Sequence, residues 1–432
     1  MAVCRFQSGL RRCRARGGGK GGEYSRTMPP AEAPLRILFT AFEQSGDEHA
    51  ALAIEALRSC APEVEVLAWG GPRMAQAGAT LVRETVSSAA MGLPGAAKVR
   101  EHLALTRRFA RWIDREGIDL HVPVDSPAAN NPLCAHSRRK GVPVVRLVAP
   151  QHWAWASWRV RRLRRWGDEL LCVLPFEPDW FAARGVRARF VGHPLFATRL
   201  DGQELDRRVA ALGLPEGSPK LGLFPGSRMG EIEANWPVML QTLKALRRRW
   251  PDLVAAAAAA SPKVKAQLQA PPDAPLTIVD NAADEIARWC DVAVAVSGTV
   301  TLRIARQRRP MVALYAMPRL KGWVARRLIV KTPWIALPNV VAGQAVVPEL
   351  FPCPLGPRGG AALTPVVERL LEDDAQRAAQ RKALDRLCAV FEAVDPRRRI
   401  SEALLEALGC AQPAEREADS GAGSPSSALS AR

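Results

Sequence analysis

Two short runs of small and charged residues in this chain could hold a phosphate. In LGLFPGSRMGEIEANWP (residues 221–237), four strand-forming residues run into Pro225, Gly226, Ser227 and Arg228, and a helical pattern follows from about Gly230. A strand, a tight turn and a helix start make an anion cradle, because the first helical N–H groups lack partners and the helix dipole is positive there. Arg228 adds a permanent charge with a planar fork suited to phosphate. The same physics recurs where a strand at 291–296 enters Ser297, Gly298 and Thr299 ahead of a helix over 300–308, a second phosphate or ribose site. For the first run, an ordinary strand-to-helix turn with a solvated arginine remains the alternative. A carboxylate stands in LHVPVDSPAANNPL, where Asp125 ends a strand, the position that lines the ligand crevice of open α/β sheets. A helix cap is the other reading of Asp125. His193 lies in a Gly-His-Pro turn, where a hydrogen-bonded structural role is the commoner one.

Such turns need a parallel sheet behind them, and the chain supplies the alternation. Residues 35–40 read as a buried strand and 50–58 as a helix, with Ser45 or Asp47 placed to cap it. A strand at 64–69 and a helix at 73–77 ending at Gly78 follow. The second half starts a new strand at Lys220 and repeats the pattern through 276–279, 291–296 and 311–315, with the alanine run 255–260 as strand or helix. A further helix start is expected near Pro348, and 364–409 reads as helical. Strands alternating with helices at this spacing indicate parallel sheets covered on both faces. Residues 1–33 read as a disordered basic extension without an apolar signal core; a start at Met28 removes most of it. The tail 412–432 also reads as disordered.

Bulk composition narrows the partners. The chain has 432 residues, 48% hydrophobic, with no run of about 18 apolar residues, enough for two domains and no bilayer-spanning helix. Its net charge of +18 favours anionic partners. No zinc finger, aromatic RNA-binding strand or basic zipper is present, so nucleic acid is set aside. Nine cysteines without a C-x-x-C pair suit a reducing cytoplasm, and six histidines without metal-ligand spacing indicate no metal site. Amphipathic surfaces point instead to lipid. Trp153, Trp155, Trp158 and Trp166 are interleaved with Arg159, Arg161, Arg162, Arg164 and Arg165, the pairing an interfacial surface uses. A helix over 101–116 carries Leu103, Phe109, Trp112 and Ile113 among arginines, for core packing or a membrane face. The loop at Met91 is partly apolar, and 318–330 is basic and apolar.

Taken together, the strings resemble the lipid-A-disaccharide synthase family of inverting glycosyltransferases. They are Glu43-x-Ser45-Gly46-Asp47, GGPRMAQAG at 70–78, MGLPG, VDSP with Asn130, APQHWAW, LPFE, FVGHPL, PGSR followed by Glu231, SGTVTL, and LPNVVAG with VPEL. Their order and spacing from about Leu35 to Leu350 carry the resemblance. It implies a GT-B fold: two Rossmann-like domains with parallel sheets facing across a cleft, an acceptor and membrane-facing one at 34–197 and a UDP-sugar-binding one at 198–363. The helices of 364–409 are expected to pack back on the first. It also implies condensation of UDP-2,3-diacylglucosamine with 2,3-diacylglucosamine 1-phosphate at the inner-leaflet surface, with no cofactor and a possible homodimer.

By resemblance Asp125 is the base, with Glu43 and Ser45 in the catalytic set. Gly226, Ser227, Arg228, Glu231, Ser297, Gly298, Thr299, Asn339, Gly343 and Glu349 fall on the donor side. Met91, Trp153, Trp155, Arg159 and His193 fall on the acceptor and membrane side. Four departures stand out: Phe42 and Ala50 replace family glycines, Arg303 replaces a ribose-binding glutamate, and Pro352 stands where a glutamine is expected. A phenylalanine at 42 is expected to narrow the site, and an arginine cannot accept bonds from ribose hydroxyls. Another UDP-hexosamine donor or acceptor, or a non-catalytic membrane-associated homologue, are the alternative readings.

Overall fold

The computed structural model describes residues 34–86, 95–271 and 274–410. The chain divides into two compact units. One comprises residues 34–152, Ser157–Ala197 and 394–410; the other comprises Trp153–Ala156 and Thr198–Ala393.

In the first unit, short apolar runs form seven parallel strands. They are β1 (Arg36–Thr40), β2 (Glu65–Gly70), β3 (Thr80–Glu84), β4 (Leu120–Pro123), β5 (Val145–Leu147), β6 (Glu169–Cys172) and β7 (Ala188–Phe190). Their order is β3-β2-β1-β4, continued through parallel bridges from β4 to β5-β6-β7. The chain moves outward one way from β1 to β3, then returns to place β4 on the other side of β1. That reversal opens a crevice at the carboxyl ends of β1 and β4, the place where open α/β sheets bind ligands. Aliphatic side chains of β1, β2 and β4 pack against the helix Gln44–Cys60, which buries Ala50, Ala53, Ile54 and Leu57.

The second unit has six parallel strands: β8 (Lys220–Phe224), β9 (Val254–Ala259), β10 (Leu276–Asp280), β11 (Val292–Val296), β12 (Met311–Ala316) and β13 (Glu349–Cys353). Their order is β10-β9-β8-β11-β12-β13, so the switch point falls between β8 and β11. All but the last residue of the alanine run is strand, against alanine's intrinsic helical preference, and every residue of Val254–Ala259 is buried, whereas Ala260 lies in an exposed bend beyond it. In a sheet covered on both faces, small side chains let the flanking helices approach, and this packing overrides propensity. The helix expected at Pro348 is strand β13 instead, drawn into the sheet by pairing Ala313 with Glu349 and Leu314 with Leu350. Pro352 is tolerated there because β13 is an edge strand.

The helical stretch 364–409 divides. Gly356–Glu372 buries Leu363, Val367 and Leu370 in the second unit's core. Only Pro396–Ala407 packs on the first unit, through Ile400, Ala403 and Leu404.

Candidate active site

Asp125 follows β4 at the first switch point, and its backbone is unusual. Asp125 and Ser126 both adopt left-handed conformations, with φ of 49° and 39°. Such geometry costs about 1–3 kcal/mol per residue and persists only where the surroundings over-determine it. Here they do. The Asp125 amide donates to the Leu147 carbonyl at 3.0 Å. The Asn130 amide donates to the carbonyls of both Val124 (3.2 Å) and Asp125 (2.8 Å). Gly46, across from β1, sits where an added Cβ would lie 3.3 Å from the Val124 carbonyl and 3.9 Å from the Asp125 Cβ, so a small residue keeps this corner open. The Ser126 hydroxyl is buried and has no hydrogen-bond partner among the described residues, a polar group sequence reasoning passed over.

The loop after β1 does something other than expected. Asp47 does not cap its own helix. Its buried carboxylate accepts the amides of Gly71 (3.0 Å), Arg73 (3.0 Å) and Met74 (3.2 Å), capping the next short helix, Pro72–Gln76. A Cβ on Gly71 would meet the Asp47 carboxylate at 2.3 Å, which explains the glycine there. Asp47→Ala therefore orphans three amides, and we expect a loss of about 2–3 kcal/mol, read as a lowered thermal midpoint. Asp47→Asn, which keeps one acceptor, loses less.

Glu43 is the N-cap residue of Gln44–Cys60 through its backbone, and Ser45 stands in the first turn; both side chains are exposed. Phe42 does not narrow the crevice. It is buried in the cluster of Leu38, Leu67, Trp69, Phe109 and Leu133, and its ring meets His102 edge-on. Ala50 is likewise core.

Below the crevice, His121 is fully buried on β4 and bonded through both ring nitrogens, to Thr40 and Ser137 (2.9 Å each). Burial, assisted by the nearby Arg146 charge, pushes its pKa down to about 3. An unfolded histidine protonates near 6.5, so between those values the unfolded chain binds the extra proton. Stability is complete above about pH 6.5 and falls as pH drops toward 3, by up to about 1.4 kcal/mol per unit from this group. Urea unfolding at pH 7 and pH 5 checks this; equal stabilities contradict it.

The second unit presents two turns at its switch point. Gly226, after β8, has φ of 104°, and an added Cβ would lie 2.8 Å from a Glu231 carboxylate oxygen. Arg228 is the N-cap residue of the helix Met229–Arg249. Glu231 occupies that helix terminus: its carboxylate faces the amides of Ser227 and Arg228, both at 3.4 Å, and accepts from the Arg228 guanidinium at 2.9 Å. An anion thus already stands where an anion is attracted. After β11, the Ser297 hydroxyl donates to the Ile335 carbonyl at 2.6 Å. Gly298 is extended with open space around it, and Thr299 opens the helix Thr299–Arg306.

The loop before β13 uses two of the expected donor-side residues for its own bonds. Asn339 is fully buried and all four of its bonding positions are filled. Its amide donates to the Val347 carbonyl and Glu349, while its oxygen accepts from Val346 and Val347. Glu349 accepts the Ile335 and Ala336 amides and so caps the helix Leu337–Ala342, which ends at Gly343 in a left-handed conformation. Asn339 and Glu349 build this loop, and its own bonds fill every position on Asn339. Arg303 pairs with Asp284 at 2.5 Å.

On the acceptor side, Trp153 is only 5% exposed and His193 is buried, its ring accepting the Leu195 amide at 3.1 Å. Neither is available to a lipid surface. Trp155 and Trp158 are exposed, the latter with the Arg159 guanidinium 5.2 Å from its ring centre. Met91 lies outside the described residues.

Residues 37–385 match the family described as Lipid-A-disaccharide synthetase. The chain belongs to the lipid-A-disaccharide synthase family. Among relatives of that name, the protein of Geobacter sulfurreducens is 38% identical over 73% of this chain and 83% of its own length. That of Anaeromyxobacter dehalogenans is 35% identical over 86% and 97%. Membership makes the chain a glycosyltransferase of lipid A disaccharide synthesis, and the two sheets place it in the GT-B architecture. Solved structures agree on the fold. The S. aureus MnaA–UDP co-structure matches with TM-score 0.59 at 12% identity, covering 87% of this chain and 98% of that one. The spinosyn rhamnosyltransferase SpnG matches with TM-score 0.55 at 16% identity, covering 86% and 100%.

Proposed function

We propose that this chain transfers the 2,3-diacylglucosaminyl group of UDP-2,3-diacylglucosamine to the 6-hydroxyl of 2,3-diacylglucosamine 1-phosphate. The reaction is a single inverting displacement. Asp125 takes the hydroxyl proton as the acceptor oxygen attacks the anomeric carbon, and the bond from that carbon to the diphosphate breaks with its electrons leaving on UDP. Positioned carboxylates of this kind contribute about 10²–10⁴-fold. The diphosphate takes over the Ser227 and Arg228 amides from Glu231 and accepts from the Arg228 guanidinium, with Ser297, Gly298 and Thr299 facing phosphate or ribose. The observation that carries this reading is the strained, clamped backbone of Asp125 at one switch point, in a chain whose PGSR turn lies at another. The test is a two-substrate assay: UDP and disaccharide appear in equal amounts only when both acylated sugars are supplied. UDP release from the donor alone at the same rate overturns it.

One observation favours a different donor. Arg303, paired to Asp284, offers no acceptor for ribose hydroxyls. A panel of nucleotide sugars compared by calorimetry discriminates. The non-catalytic reading loses one of its two supports, because Phe42 is core.

Membrane association rests on a surface of the second unit. No helix among the described residues is long and apolar enough to cross a membrane. The helix Arg319–Val324 and the turn Ala325–Ile329 after it expose Leu320 (76%), Trp323 (58%) and Leu328 (62%) beside exposed Arg319, Lys321, Arg326 and Arg327. Apolar anchors amid cations fit an anionic leaflet, as on the cytoplasmic face of an inner membrane. Replacing Trp323 and Leu328 together by Asp removes about 3 kcal/mol or more of burial. Binding to vesicles containing anionic lipid is expected to fall at least about 100-fold. Unchanged sedimentation with vesicles contradicts this surface.

A further inference from the structure

A chain of buried polar groups leads to Asp125 from beneath the sheet. Thr40 ends β1, His121 lies in β4 beside it, and Asn130 and Ser137 belong to the helix Pro127–Arg139; all four are fully buried. Thr40 Oγ1 lies 2.7 Å from Asn130 Oδ1 and 2.9 Å from His121 Nε2, and His121 Nδ1 lies 2.9 Å from Ser137 Oγ. Asn130 directs its nitrogen at two consecutive carbonyls, Val124 and Asp125.

Hydrogen counting gives the chain one direction. Both Asn130 amide hydrogens go to carbonyls, so its oxygen must accept, and the single Thr40 hydroxyl hydrogen goes there. Thr40 can then only accept from His121, which requires the hydrogen on Nε2 and leaves Nδ1 as the acceptor facing Ser137 at 2.9 Å, nearer to that hydroxyl than its other acceptor, the Leu133 carbonyl at 3.2 Å. Burial that holds the imidazole neutral is what such an arrangement needs. Every polar atom in the chain has a partner, and a fully satisfied buried network is stiff. Its last link reaches the carbonyl of Asp125, inside the left-handed pair Asp125–Ser126. Asn130 is fully buried and both its amide hydrogens are used, so it has no donor to offer a substrate.

We propose that Thr40, His121 and Asn130 are positioning residues that hold the Asp125 backbone in its left-handed turn, and so aim its carboxylate at the acceptor hydroxyl. This rests on Asp125 being the base.

Thr40→Val keeps shape and removes the hydroxyl. With the lipid substrates above, kcat is expected to fall about 10–100-fold, with KM for both sugars and the Kd for UDP unchanged, and Thr40→Ser is expected to recover most of it. In an Asp125→Asn background, Thr40→Val should lower the residual rate no further. Wild-type kcat in Thr40→Val overturns the proposal, as does a loss that Thr40→Ser fails to recover or one matched by weakened UDP binding. If Asp125→Asn keeps full turnover, the base assignment has failed instead. Should Thr40→Val not fold, nitrogen NMR of His121 in the native protein decides. The Nε2–H tautomer from pH 5 to 8 is expected; an Nδ1–H or charged ring overturns it.

Discussion

Asp125→Asn is expected to lower turnover by about 10²–10⁴-fold while leaving UDP affinity unchanged. The asparagine preserves the volume and can still form the left-handed turn, since Asn is among the few residues that adopt it readily. Its amide has no basicity, so proton removal is lost. The expected pattern is a fall in kcat, with KM for both sugars near its original value. The Asp125 backbone bonds to Leu147 and Asn130 do not involve the carboxylate, so folding is retained. A rate loss accompanied by a lower thermal midpoint would instead mark the carboxylate as a structural group.

Arg228→Ala is expected to weaken UDP about 10–150-fold, the equivalent of about 1.5–3 kcal/mol for charge-assisted bonds. The Arg228 side chain is 79% exposed, and its ion pair with Glu231 is the kind worth little in solvent. Giving up that pair for a diphosphate is therefore favourable. Arg228→Lys keeps the charge and loses the fork, so an intermediate affinity is expected. Calorimetric titration with UDP measures both. Affinity unchanged in Arg228→Ala removes the arginine from the donor site.

The architecture was legible because its signals are local. A strand running into Gly226-Ser227-Arg228 or Ser297-Gly298-Thr299 and then a helix needs only neighbours in sequence to be read. What escaped depends on which distant group a side chain finds. Asp47 sits in a helix's first turn, yet its partners are amides at 71, 73 and 74, 24 residues and more away along the chain. Asn339 and Glu349 have the chemistry of nucleotide contacts, but the amides of their own loop use it first. Phe42 and Trp153 are apolar in either setting, and packing alone decides whether they line a site or fill a core. Strand β13 reads as a helix start in the sequence because edge pairing with β12 leaves almost no mark in a five-residue run containing proline. The positive φ at Asp125 and Ser126 has no sequence signature, although it is the feature that singles this carboxylate out.

The most direct measurement is a crystal structure with UDP bound. Diphosphate oxygens are expected about 3 Å from the Ser227 and Arg228 amides, with the Glu231 carboxylate displaced from them and the Arg228 guanidinium turned to phosphate. UDP bound elsewhere, with Glu231 still facing both amides, would contradict that placement.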